Sequence, residues 1–468
     1  MKLTWSMTTA QDRKWKTMHG EAQFHPDTEE VENHVVNLYP EVTFQTFEGF
    51  GGAITDAAGS VYAQMNESQK RQLMEAYFAP EKMGYNRVRI HMDSCDFSTG
   101  MYEAMSNPED RELNSFSFAR TEKYILPMLE DAQKAAGHPL KLMLSPWSPP
   151  AFMKTNGKRE EGGSLKPEYR DFWADYLCRY IREFQQRGFE VERISLQNEP
   201  KAVQTWDSCI FTAEQEKEFL RNHLYPAMVH HGLDDIEVFI WDHNKERLYE
   251  RVRDTVDDDI RRMIAGAAFH WYSGDHFDAL DLVRRQFPDM KLITSESCIE
   301  YRFLNESDVF GNAAKLAHEL MGDLNHGINA FYDWNLLLDE TGGPNRVGNL
   351  CHAPFMYDRK TKELCPQLLE RYYNHFSHYI APGSQRIALT KYADALEAVA
   401  FRRPDAITAV ILFNKSEEPV KVMLRLNDQI AQIIVEPRSI ISGIVTETHS
   451  PGVSSLTPRS CAIWPPTS

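Results

Sequence analysis

Two glutamates stand where a pair of carboxyl groups could act together. Asn198-Glu199-Pro200 closes one short apolar run, 193–199, and Ser295-Glu296-Ser297 closes another, 291–296. Two carboxyls about 5–5.5 Å apart can hydrolyse an equatorial glycoside with retention of configuration. One must stay protonated near neutral pH and protonate the leaving group. The other must be ionised and attack the anomeric carbon. Asn198 and the Pro200 turn put Glu199 on the leaving-group side, as general acid/base. Asn198 itself can donate to a sugar 2-OH. Glu296 is then the nucleophile, and it needs a polar donor to stay ionised. His270-Trp271-Tyr272 supplies candidates: Tyr272 to hydrogen-bond Glu296, and His270 to orient its neighbours.

Such convergence demands a scaffold that points strand ends at one place. Short β-rich runs recur eight times, at 47–55, 86–92, 141–147, 193–199, 238–244, 266–272, 291–296 and 329–335. Helix-period segments separate them. In 169–188, Phe172, Trp173, Tyr176, Leu177, Tyr180, Ile181 and Phe184 recur at three- and four-residue spacing, and Gly188 supplies the stop. Residues 366–379 follow the eighth run in the same way. Eight strands each followed by a helix predict a (β/α)8 TIM barrel rather than an open doubly wound sheet. Glu199 and Glu296 are three βα units of roughly 32 residues apart, which puts the fourth and seventh strands across the mouth. The loops after strands two, three and eight are long, as expected where such barrels build their sites.

After 381–387 the pattern changes. Runs 395–401, 407–414 and 420–426 alternate or run apolar at strand length, and no helix-period segment follows to Ser468. This predicts a small antiparallel β domain, to which the first 40 or so residues can add strands.

The 468-residue chain is long enough for a barrel plus that domain. Its net charge of −17 repels phosphate backbones, so nucleic acid is not an expected partner. No segment reaches membrane-span length. The start, MKLTWSMTTAQDRKWK, lacks the apolar stretch of a secretory signal, and the seven cysteines are scattered without a CxxC pair. Together these point to the cytoplasm. The pairs Asp242-His243 and Asp275-His276 match no zinc or two-metal spacing, so neither metal nor cofactor is expected. Glu48, Asp93, Asp96 and Asp333 read as hydrogen-bonding groups of the barrel mouth, Glu300 and Glu340 as loop charges, and Cys298 as packing.

These motifs, in this order, resemble glycoside hydrolase family 30, the family of the glucosylceramidases. The resemblance covers 47–386 through GFGGAITDAA (49–58), YNRVRIHMDSCDFS (85–98), LSPWSPPAFMKTNG (144–157), QNEP (197–200), HWY (270–272), SESC (295–298), DWNL (333–336), GGPNRVGN (342–349) and GSQRI (383–387). It implies a barrel fused to a β-sandwich built from both chain ends: 1–44 joining the sandwich, 45–383 the catalytic barrel, 384–468 the C-terminal sandwich. It implies Glu199 as acid/base and Glu296 as nucleophile. Asp56, Trp147, Asn198, Trp334 and Asn349 would line the sugar subsite, beside His270 and Tyr272. A carboxylate such as Asp56 can accept two hydroxyls at the sugar's far edge, and the two tryptophans can floor it.

Arg346, where an aromatic residue is expected, and Phe152, where a Trp is, depart from the glucosylceramidase pattern. Both loops border the aglycone side, so a polar or sugar aglycone gains weight over a lipid. The implied activity is exo cleavage of a terminal β-glucosyl, β-xylosyl or β-fucosyl residue. The alternatives are an endo-acting β-1,6-glucanase or xylanase and, from another class, an inactive carbohydrate-binding barrel.

Overall fold

The computed structural model describes residues 1–11, 14–305 and 308–446. Eight parallel strands close into a barrel in chain order: Gly49–Ala53, Arg87–Met92, Lys141–Pro146, Glu190–Ser195, Glu237–Asn244, Gly266–His270, Lys291–Glu296 and Ala330–Asp333. Each overlaps one of the eight runs. Four are buried along their whole length and the other four over most of it, because helices cover the outside and side chains fill the inside, so they read as continuous apolar runs. Glycine is needed in the first strand: a Cβ on Gly51 would run into the Arg87 carbonyl of the neighbouring strand.

Inside the barrel, Met143, Phe239, Ala268, Ile293, Ala330 and Tyr332 form a small apolar layer. The strand starts below it carry charge. Arg193 bonds Glu48 at 2.7 Å and pairs with Glu192 and Glu237, and Arg87 pairs with Glu192 at 3.0 Å. Glu48 therefore belongs to the amino end of the barrel, not its mouth, because it precedes the first strand.

Two further departures from the sequence reading concern length. The fourth strand ends at Ser195, so Glu199 sits beyond it, on a turn. After the eighth strand the chain makes a small sheet of Leu337–Asp339, Phe355–Asp358 and Glu363–Pro366 before the helix Leu368–Ser377. Strands of three or four residues are too short to print an alternation. The helix at 169–188 runs Arg170–Gln186 after a single 3-10 turn.

A ten-stranded sheet draws on both chain ends. Lys2–Gln11 pairs antiparallel with Ser439–Thr446, and Val35–Phe47 pairs with Ser384–Lys391. It closes over its own core, which includes Val36, Leu38, Val422, Leu424 and Ile433. His375, on the last barrel helix, pins it to the barrel by bonds to Thr8 Oγ1 (2.8 Å) and Ser442 Oγ (3.0 Å). Residues 447–468, the last part of the expected sandwich, lie outside the described residues. Among those described, no helix is long and apolar enough to cross a membrane.

Candidate active site

The strand ends open onto a cavity of about 620 Å³. Glu296, the last residue of the seventh strand, faces it. Tyr272 Oη donates to Glu296 Oε1 at 2.8 Å and Arg89 Nη1 donates to Oε2 at 2.6 Å. Arg89 projects from the middle of the second strand and is fully buried. A buried guanidinium must spend its donors. Arg89 also gives one to Asn198 Oδ1 and one to Asp242 Oδ2, both at 2.9 Å.

Glu199 arrives by a strained route. Its φ is +46°, and Asp242 opposite has φ +51°, a region that costs non-glycine residues energy and is held where surroundings impose it. The Glu199 N–H donates to the Asp242 carbonyl at 2.9 Å, and the Asn198 N–H to the Pro146 carbonyl at 2.8 Å, which pins the turn to both neighbouring strands. Arg89 occupies the Asn198 carbonyl oxygen, so the amide N–H2 is left for the cavity.

His270 lies between the acids. Its Nδ1 is 3.1 Å from Glu199 Oε1 and its Nε2 is 3.1 Å from Asp242 Oδ1. Burial opposes the imidazolium, but the charge of Glu296 and the bonds to Asp242 and Glu199 prevail and push it up to about 9. Asp242, held by Arg89, His270, Ser195 and Ser295, lies well below the usual carboxylate range despite its burial. Burial works to raise Glu199, yet the His270 bond and the charges of His243 and His270 bring it below its ordinary value. Both shifts favour the proton on the imidazole over Glu199.

A carboxylate oxygen of Glu199, one of Glu296 and a ring nitrogen of His270 lie within 4.8 Å of one another. Such a trio has the spacing to hold a cation, but the Arg89 guanidinium already supplies positive charge against Glu296.

The floor is aromatic. Trp147 and Trp334 stack with centroids 5.4 Å apart, and the Arg89 guanidinium lies over Trp147 at 4.9 Å. Asn349 reaches the wall and donates to Asp96 Oδ2 at 3.2 Å. Burial, together with the charges of Glu296 and Glu199, pushes the Asp96 carboxyl up to about 7.

The cavity therefore brings together Glu199, Glu296, Trp147, Asn198, Tyr272, Trp334 and Asn349, with His270 directly behind. Asp56 is not brought to the wall. It is fully buried, and Thr99 N and Oγ1 (each 2.8 Å) and Arg120 Nη2 (3.1 Å) take up its carboxylate. Arg346 is bound to Asp207 at 2.5 Å and Phe152 packs edge-on against Tyr169, so neither departure residue faces the cavity. Asp333 is buried, and burial pushes its carboxyl far above the usual range, opposed only by the Trp334 N–H.

Asp96, Gln204, Trp206, His243, Asn244 and Glu300 reach the wall without having been read as site residues. Arg89 and Asp242 act just behind it. Arg89 carried a usable signal: an arginine inside a six-residue buried strand must have an anionic partner.

Paired glutamates facing one another over a tryptophan floor, at the carboxyl end of a closed barrel, put the protein among the barrel glycoside hydrolases. Residues 47–380 match the glycosyl hydrolase family 30 TIM-barrel domain and 383–442 match that family's β-sandwich domain; the chain belongs to glycosyl hydrolase family 30. It is 31% identical to the lysosomal acid glucosylceramidase of Mus musculus over 408 residues, 83% of this chain and 79% of that one. The crystal structure of SrfJ from Salmonella typhimurium superimposes with a TM-score of 0.90 at 32% identity, covering 96% of this chain and all (100%) of that one. The endo-β1,6-glucanase BT3312 superimposes with a TM-score of 0.83 at 23% identity, over 96% and 100% of the two chains, a likeness of fold.

Proposed function

We propose that the protein is a retaining, exo-acting β-glycosidase that removes terminal β-D-glucosyl residues by double displacement. The observation that carries this reading is the approach of Glu199 and Glu296 to within 4.8 Å, with Glu296 held by Tyr272 and Arg89. Glu296, oriented by those donors, attacks the anomeric carbon and forms a covalent glycosyl-enzyme. The leaving oxygen takes its proton from Glu199, which draws it from His270 along the 3.1 Å bond. Glu199 then deprotonates the incoming water. The Asn198 amide meets the 2-OH, and the tryptophan floor meets the apolar face of the ring.

Glucose is favoured by the mouse relative, whose name states glucosylceramidase activity. A polar aglycone is favoured by the leaving-group side. There, His243 Nδ1 and Asn244 Oδ1 are buried without hydrogen-bond partners, beside the half-buried rings of Trp206 and Trp271. Buried unpaired polar atoms are costly, and sugar hydroxyls would satisfy them. Aryl β-D-glucoside, β-D-xyloside and β-D-fucoside assayed in parallel test the reading. Turnover is greatest on the glucoside, and a folded sample inert on all three overturns it.

The same rim supports a second reading, an endo-acting β-1,6-glucanase, because those groups extend the site past Glu199. A labelled oligosaccharide separates the two: release of monosaccharide alone leaves only the exo reading.

A further inference from the structure

Cys298 and Cys351 meet in the wall of this cavity. Cys298 lies two residues beyond Glu296, and Cys351 two residues beyond Asn349. An antiparallel bridge between Glu300 and Cys351 joins the two segments. On either side of it, the His352 N–H donates to the Ile299 carbonyl and the Tyr301 N–H to the Leu350 carbonyl, each at 2.8 Å. In that register positions 298 and 351 are diagonal neighbours on one face, so the two thiols interact, and burial pushes both of them up, Cys351 far up. Both residues are only 1% exposed but both border the cavity, so the route to them is through its mouth and admits only a small reagent. The other described cysteines, 95, 178, 209 and 365, lie off this wall.

The pair also touches the catalytic apparatus. Tyr272 Oη lies 3.4 Å from Cys298 Sγ while donating to Glu296. One hydroxyl is thus shared between a thiol and the candidate nucleophile.

We propose that Cys298 and Cys351 are a redox-active dithiol, an oxidation site for small peroxides that closes to a disulfide and withdraws Tyr272 from Glu296. One thiol, which burial holds protonated, attacks a peroxide oxygen and passes its proton to the departing hydroxide, giving a sulfenic acid and water. The second thiol displaces the sulfenic oxygen as a second water and forms the S–S bond. Two thiols lose two electrons and two protons, and the peroxide is reduced. An S–S bond is much shorter than a thiol–thiol contact, so closure draws the segments after the seventh and eighth strands together. Glu296 and Asn349 lie two residues from the new bond and move with it. The effect on activity rests on the reading of Glu296 as nucleophile; the disulfide does not.

The test treats the full chain with hydrogen peroxide, then measures intact mass, a peptide map and aryl β-glucoside turnover. The expected result is loss of two hydrogens mapped to a 298–351 cross-link, with activity down about tenfold, the worth of one hydrogen bond to the nucleophile. Dithiothreitol restores it. Cys351→Val and Cys298→Ala each keep, after peroxide, the activity of their own reduced form. Absence of the cross-link overturns the dithiol. A cross-linked enzyme of full activity, or variants as sensitive as wild type, overturns the coupling to Tyr272. If no aryl glycoside is turned over even when reduced, the functional reading fails, and the peptide map still decides the disulfide.

Discussion

Arg89 Nη1 lies 2.6 Å from Glu296 Oε2, and the guanidinium is shut off from water. The same side chain holds Asp242 and Asn198. Its removal leaves two buried carboxylates without their cation. Arg89→Met is expected to lose about 3–5 kcal/mol of stability, the cost of breaking a buried ion pair, and to lose nearly all turnover. Arg89→Lys keeps one charge but not the forked geometry, and should fold better than it catalyses. Urea unfolding alongside steady-state kinetics separates the two effects. A folded Arg89→Met variant with wild-type kcat would remove Arg89 from the mechanism.

The roles of the two glutamates separate by leaving group. Glu296→Gly should abolish hydrolysis, and azide or formate should restore part of it by replacing the missing nucleophile. Glu199→Ala should slow substrates with poor leaving groups far more than activated aryl glycosides, because only the former need protonation. Equal behaviour of both variants across a leaving-group series would mean that the assignment is wrong.

His270 sets an alkaline limit. Its pKa is raised in the folded protein to about 9, against about 6.5 when unfolded. The folded state therefore binds the proton more tightly. The stabilisation is fully present below about pH 6.5 and is lost as pH rises through about 9. Activity should fall over the same upper limb as the imidazolium stops supplying Glu199. His270→Gln should flatten the decline in unfolding free energy between those pH values. An unchanged slope in chemical denaturation series would contradict the charge assigned to His270.

The leaving-group side should read its aglycone. Asn244→Ala and Trp206→Ala are expected to depress kcat/KM on a β-linked glucose disaccharide by about tenfold, the worth of one hydrogen bond or stacking contact. They should leave nitrophenyl β-glucoside, which lacks those hydroxyls, much less affected. Parallel losses on both substrates would show that these residues support the glycone instead.

Much of this site was legible before any fold was known, for identifiable reasons. Glu199 and Glu296 could be read because each closes a strongly apolar run, and Tyr272 because it closes the run 266–272 beside that of Glu296. The partners of Asp56 were not legible, because nothing in its own segment announces the Thr99 and Arg120 donors that meet its carboxylate. The same holds for Arg346, whose partner Asp207 lies 139 residues away in the chain. Asp242 carries no local sign of its role: beside His243 its spacing speaks only to metal ligation, and its partners Arg89, His270, Ser195 and Ser295 come from other strands.

The periodicity is written into the chain: eight buried strands with helices between them, a β-rich tail, and two glutamates closing apolar runs that a closed barrel sets face to face. Burial on one side or both leaves that imprint residue by residue, so it can be read along the chain. Only the tertiary structure decided who partners whom. Arg89, Asp242 and His270 come from the second, fifth and sixth strands, and they determine where the proton rests between them and Glu199. Those interactions depend on distances of about 3 Å across the barrel, and nothing local in the chain encodes them.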